Sequence, residues 1–82
     1  MTIRVELNPD TWTEISSAAA GYMNNEGQSL VMYRVEATPP PNAEKWGHKL
    51  ELEDGIGWSR AVATPLYGRT MTQKGFVIVT EG

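Results

Sequence analysis

The chain contains no cysteine, so disulfide bridges and thiolate metal sites are excluded. It has one histidine, His48, which excludes a histidine-rich metal centre, and a site built from carboxylates alone needs clustered acids. Positive charge is sparse: seven Lys and Arg stand singly along 82 residues, against ten Asp and Glu, for a net charge of −3. Nucleic acid and anionic membrane surfaces both demand clustered cations, so neither is an expected partner. No apolar run approaches the roughly 20 residues that span a bilayer. The opening Met1-Thr2-Ile3-Arg4-Val5-Glu6-Leu7 alternates polar and apolar residues and carries Glu6. A signal peptide needs a basic start and an unbroken apolar stretch, so the expectation is a protein made and kept in a cytoplasm, or assembled there into something larger.

Helix-length periodicity is missing as well. Ala18-Ala19-Ala20 is the one stretch with helical propensity, but it is closed by Gly21 and is too short to hold a helix alone. Strand or irregular structure is the better reading there. Elsewhere, strand patterns dominate. Ile3, Val5 and Leu7 share one face of the opening segment, with Arg4 and Glu6 on the other. Asn8-Pro9-Asp10 is a turn, and Thr11 to Ser17, with Trp12, Thr13 and Ile15, reads as a second strand. Asn24-Asn25-Glu26-Gly27 reads as a turn. Leu30 to Thr38 is the strongest strand: apolar residues occupy both faces near its start, which marks a central strand covered on both sides.

Pro39-Pro40-Pro41 stops any ladder, so residues 39–47 form a Pro-rich connection. His48 to Glu53 alternates again, with Leu50 and Leu52 inward, and Asp54-Gly55 reads as a hairpin turn into Ile56 to Arg60. Pro65 interrupts Val62 to Thr70, which predicts an edge strand or a bulged one. Lys74-Gly75 is the last turn, before the buried strand Phe76-Val77-Ile78-Val79. About seven short strands at this spacing predict a single all-β domain over residues 1–82, an antiparallel β-sandwich or a short jelly-roll-like barrel. A domain this small buries only about 60% of its unfolded surface, so a partner subunit is an expected source of stability.

No constellation for catalysis emerges. His48 has no Gly-x-Ser-x-Gly elbow to serve and reads as an ordinary residue at a strand start. Glu51 and Glu53 lie on the solvent face of one strand, where charge serves solubility. Gly55-Ile56-Gly57 has no following helix and cradles no phosphate. The aromatics carry more information. Three Trp, three Tyr and one Phe are many rings for a small core, each worth roughly 4–6 kcal/mol when fully buried. Trp12 and Trp58 read as core. Trp46, inside the proline-containing connection, either packs over the core edge or contacts a partner.

Five segments form a pattern that resembles a recurring kind of small bacteriophage protein. They are Trp12-Thr13-Glu14-Ile15-Ser16, Leu30 to Ala37 with Pro39-Pro40-Pro41, Gly47-His48-Lys49-Leu50, Leu66-Tyr67-Gly68-Arg69, and Phe76-Val77-Ile78-Val79-Thr80-Glu81. The likeness spans roughly residues 10 to 82. It implies a compact β-domain that decorates heads, forms fibre bases or belongs to tails, often as a symmetric oligomer such as a trimer. It carries no catalytic residue, metal or cofactor with it. The expected function is therefore a virion accessory protein that docks on a capsid or tail protein and on copies of itself. A recognition module for a receptor or carbohydrate is the alternative, and an enzyme or an inhibitor of host machinery ranks third. The candidate interface residues are Trp46, Tyr67, Arg69, Ile3 and Val5, with Arg69 expected as a subunit-interface charge beside Tyr67. Residues 1–8 are outside the resemblance and read as an added edge strand or as an arm that pairs with a neighbouring subunit.

Overall fold

A computed structural model describes residues 1–82 as eight strands and no helix. They are β1 (Thr2–Leu7), β2 (Thr13–Ser16), β3 (Ala20–Asn25), β4 (Val31–Val35), β5 (His48–Leu50), β6 (Gly55–Ser59), β7 (Leu66–Thr70) and β8 (Gly75–Glu81). Two antiparallel sheets result, one in the order β1-β8-β3-β6 and the other β2-β7-β4-β5. The pairing is nested: first strand with last, second with seventh, third with sixth, fourth with fifth. That is the connectivity of a jelly roll. Only the β4–β5 connection stays within a sheet, and every other connection crosses the sandwich.

The period-two pattern sets the core. Leu7, Met23, Val77 and Val79 from the first sheet meet Ile15, Val31, Leu50 and Leu66 from the second, all essentially shielded from water. Val5, Tyr33, Ile56 and Trp58 close the rim. Gly68 leaves the space that Ile15 and Leu7 fill: a Cβ there would lie 2.6 Å from Ile15 Cδ1 and 3.2 Å from Leu7 Cδ1. Trp58 is half-buried and donates its Nε1 hydrogen to Ala18 O at 3.1 Å, in the irregular stretch that precedes β3.

Several sequence expectations are corrected. The strand after Pro65 is not at an edge. Pro65 lies just outside it, so β7 keeps all its donors and runs centrally between β2 and β4. Asp54-Gly55 does not make a hairpin but the corner between β5 and β6, which belong to opposite sheets. β5 ends at Leu50, which releases Leu52 from the alternation into solvent. β3 continues through Asn25, whose buried amide donates to Ser29 O and Leu50 O and accepts from the Gly27 N–H, tying the turn to the end of β5. Residues 2–7 are an integral edge strand, paired with β8 along their whole length from Thr2↔Thr80 to Leu7↔Gly75. An arm reserved for a neighbour is thus ruled out for this side of β1. The Asn8 side chain then ends the strand by accepting from the Asp10 and Thr11 N–H groups.

The corner after β5 holds Glu53 at φ 65°, beside Gly27 at φ 108°. A left-handed backbone strains a residue with a Cβ by about 1–2 kcal/mol, which glycine avoids at a smaller entropic cost. Glu53→Gly is therefore expected to stabilise the fold by roughly 0.5–1 kcal/mol, read as a higher urea midpoint at unchanged slope.

Candidate binding face

The outer face of the β2-β7-β4-β5 sheet is covered along its two central strands, while Glu14 of β2 and Lys49 of β5 stay exposed. Alternation points Met32 and Arg34 of β4, and Tyr67 and Arg69 of β7, away from the main core. Residues 36–47 fold back over them, with Pro40 buried and Glu44 N–H closing a turn onto Pro41 O at 3.0 Å. Trp12, Met32 and Tyr67 form a second small core in this layer, with Leu30 against it. The connection between β4 and β5 is thus the third layer of the molecule.

Arg69 is its fastener. Only 1% exposed, it donates from Nη1 to Asn42 O at 2.9 Å and Glu44 O at 3.3 Å, and from Nη2 to Pro9 O. Its guanidinium lies 5.2 Å from the Trp12 ring centroid. Trp12 adds its own two bonds, Nε1–H to Glu44 O at 2.7 Å and backbone N–H to Asn42 Oδ1 at 3.3 Å. Two segments distant in sequence, 8–12 and 42–44, are thereby pinned to the same strand. The expectation that Arg69 and Tyr67 sit at a subunit interface is corrected here: both are buried inside their own chain and present almost no surface.

Trp46 behaves differently. It is 64% exposed, yet it is held in place. The Arg34 guanidinium stacks 3.7 Å from its ring centroid and is itself fixed by Glu36 at 2.9 Å and Glu44 at 3.0 Å. Burial disfavours the charge on Arg34, but the hydrogen bonds to Glu44 and Glu36 outweigh it and hold its pKa above the ordinary arginine value. Gly47 completes the anchor: a Cβ there would stand 2.8 Å from Tyr33 O, so only glycine lets the backbone beside Trp46 approach β4 this closely.

Trp46 stands between two hollows. The larger is a groove of about 480 Å³, bounded by Asp10, Lys45, Trp46, Lys49, Arg69 and the exposed Met71. Arg4, Arg34 and Lys74 are ion-paired elsewhere, and of the four remaining cations Lys45 and Lys49 stand exposed at this groove, while Arg69, also in its lining, is buried and bonded to backbone carbonyls. On a chain of net charge −3, the groove is a local positive site with apolar walls. The smaller hollow, about 290 Å³, has Arg34, Glu36 and His48 on the other flank of Trp46. His48 is the exposed first residue of β5, its ring 5.3 Å from that of Tyr33. Nowhere do three His, Asp or Glu side chains converge as a metal ion would need.

The fold therefore gathers Trp46 and the buried Arg69 at one groove, with Tyr67 beneath the same layer, and leaves Ile3 and Val5 on the other sheet. Arg34, Lys45, Lys49 and Met71 were not singled out from the sequence. One signal for Arg34 was present: a charge in the middle of a central strand must be covered and paired. Lys45 and Met71, on separate loops, carry no such mark. No family model, curated protein or solved structure matches the chain.

Proposed function

We propose that the chain is a docking subunit without chemistry of its own, an accessory component of a bacteriophage particle that attaches to capsid or tail protein through the Trp46 face. The observation that carries this reading is an exposed tryptophan locked by a buried, ion-paired arginine. Interface hot spots are rigid aromatic and arginine anchors, and an anchor fixed beforehand loses little conformational freedom on binding. The unpaired lysines of the groove favour an acidic segment on the partner, with an apolar residue to meet Trp46 and Met71. The strand-and-turn pattern described above supports the phage assignment. Eight-stranded jelly rolls serve in viral capsids and in lectins, so the architecture suits docking and sugar recognition alike. The sugar reading draws on the His48 hollow beside Trp46, but Arg34 already occupies one face of the ring that a sugar would stack on.

Density-gradient banding with purified particles from cells that make the chain tests the proposal. The wild-type chain is expected to band with particles. Trp46→Ala is expected to bind about 30-fold or more weakly, the cost of a hot-spot truncation, with little change in thermal stability. A wild-type chain that remains at the top of the gradient, or a variant that bands equally well, removes the reading.

A further inference from the structure

We propose that two copies of this chain pair antiparallel through the free edges of β1, joining their four-stranded sheets into one continuous sheet across a two-fold axis at Val5.

Each sheet has two edges, and three of the four edge strands are poor templates. β2 carries a register shift between Glu14 and Ser16, β5 has three residues, and β6 contains Gly55 and Gly57. β1 has six residues with no proline, glycine or bulge. An uninterrupted edge of this kind is a ready site for pairing with another strand.

The direction of its free groups follows from the ladder. Glu81 N–H donates to Met1 O at 3.1 Å, one step beyond the Thr2↔Thr80 pair. Hydrogen-bonded pairs alternate along an antiparallel ladder, so Ile3, Val5 and Leu7 bond to β8. The N–H and C=O groups of Thr2, Arg4 and Glu6 therefore point to the open edge.

Charge then selects the register and the occupant. With the axis at Val5, Arg4 stands opposite the partner's Glu6, and Glu6 opposite the partner's Arg4. Val5 meets Val5 of the partner subunit, and Ile3 meets the partner's Leu7. The pairs Arg4 and Glu6 are then the hydrogen-bonded ones, as the free groups require. Moving the axis by one residue sets Arg4 on Arg4 or Glu6 on Glu6, which is repulsive. The pattern is thus complementary to itself, as a two-fold interface demands. Arg4 already reaches Glu26 at 2.8 Å across the Phe76 ring, and 54% of its side chain remains exposed. The contact gives Ile3 and Val5 a role, and it would present two Trp46 faces on one particle-binding unit.

Hydrogen exchange followed residue by residue at rising protein concentration tests the pairing, with sedimentation equilibrium on the same samples. The interface is small, so a dissociation constant on the order of 10–100 µM is expected. The Arg4 and Glu6 amides should gain protection as the dimer forms, while Ile3, Val5 and Leu7 are protected at every concentration. Glu6→Pro removes an outward N–H without touching the β8 ladder and should abolish the dimer with the intrachain protection intact. R4E and E6R chains should each be monomeric, and should form a heterodimer when mixed. A chain that stays monomeric to about millimolar concentration overturns the proposal, as does association that Glu6→Pro leaves unchanged or mixed charge variants that do not pair. The particle-binding reading is tested separately by Trp46→Ala, which leaves β1 untouched.

Discussion

The Arg69→Met protein is expected to lose about 3–5 kcal/mol of stability, most of what a domain of this size has. Methionine keeps the length and apolar body of the side chain but removes every donor. The carbonyls of Asn42 and Pro9 then lose the donor that holds them, Glu44 O keeps only the Trp12 Nε1–H, and each part-buried acceptor left alone costs up to about 1–3 kcal/mol. The covering layer would retain the Trp12 bonds to Asn42 and Glu44, the Arg34 pairs with Glu36 and Glu44, and the Glu36 N–H bond to Pro65 O. Arg69→Lys should fall between the two, because an ammonium cannot reach three carbonyls in two segments with the planar fork of arginine. Urea unfolding read by the combined fluorescence of Trp12, Trp46 and Trp58 measures both. A loss under about 1 kcal/mol for methionine would mean that residues 36–47 are held by something other than Arg69.

Along β1, Ile3→Ala, Val5→Ala and Leu7→Ala should form a rising series. Leu7 is fully buried against Ile15 over the gap at Gly68, so its truncation is expected to cost about 3–4 kcal/mol, transfer plus cavity. Val5 is half-buried at the rim and should cost about 1 kcal/mol, and Ile3, 36% exposed, less than that. Measured at low concentration, where self-pairing is absent, the series reports β1 within its own chain. Three small and equal losses would show that residues 1–7 behave as an arm rather than as a strand of the core.

Alternation made most strands legible. Ile3-Val5-Leu7 and Val31-Tyr33-Val35 repeat every second residue, Phe76-Val77-Ile78-Val79 is a short unbroken apolar run, and each is part of a strand. Turn chemistry shows where a chain reverses, not which sheet it enters next. Asp54-Gly55 therefore read as a hairpin, when nested pairing makes it a corner between sheets. Pro65 misled for a related reason: proline removes one donor, and one residue of offset places that donor outside the ladder. The candidate site was half visible. Trp46 stood out because a large ring in a proline-containing connection has no assured core position. Arg69 read as surface because arginine is rarely buried, and in a two-layer sandwich its face would be wet. The stiffness of Pro39-Pro40-Pro41 was plain in the sequence. That these residues return over Arg69 depends on contacts between residues 9, 42, 44 and 69, which no local pattern encodes.

Oxidative footprinting of the free and particle-bound chain tests the docking face most directly. Trp46 and Tyr22 are both exposed, one on each sheet's outer side, while Trp12 is buried and serves as the internal reference. Binding is expected to suppress oxidation of Trp46 and of the neighbouring Met71, and to leave Tyr22 as reactive as in the free chain. Protection of Tyr22 with full reactivity at Trp46 would contradict the assignment and place the contact on the opposite sheet.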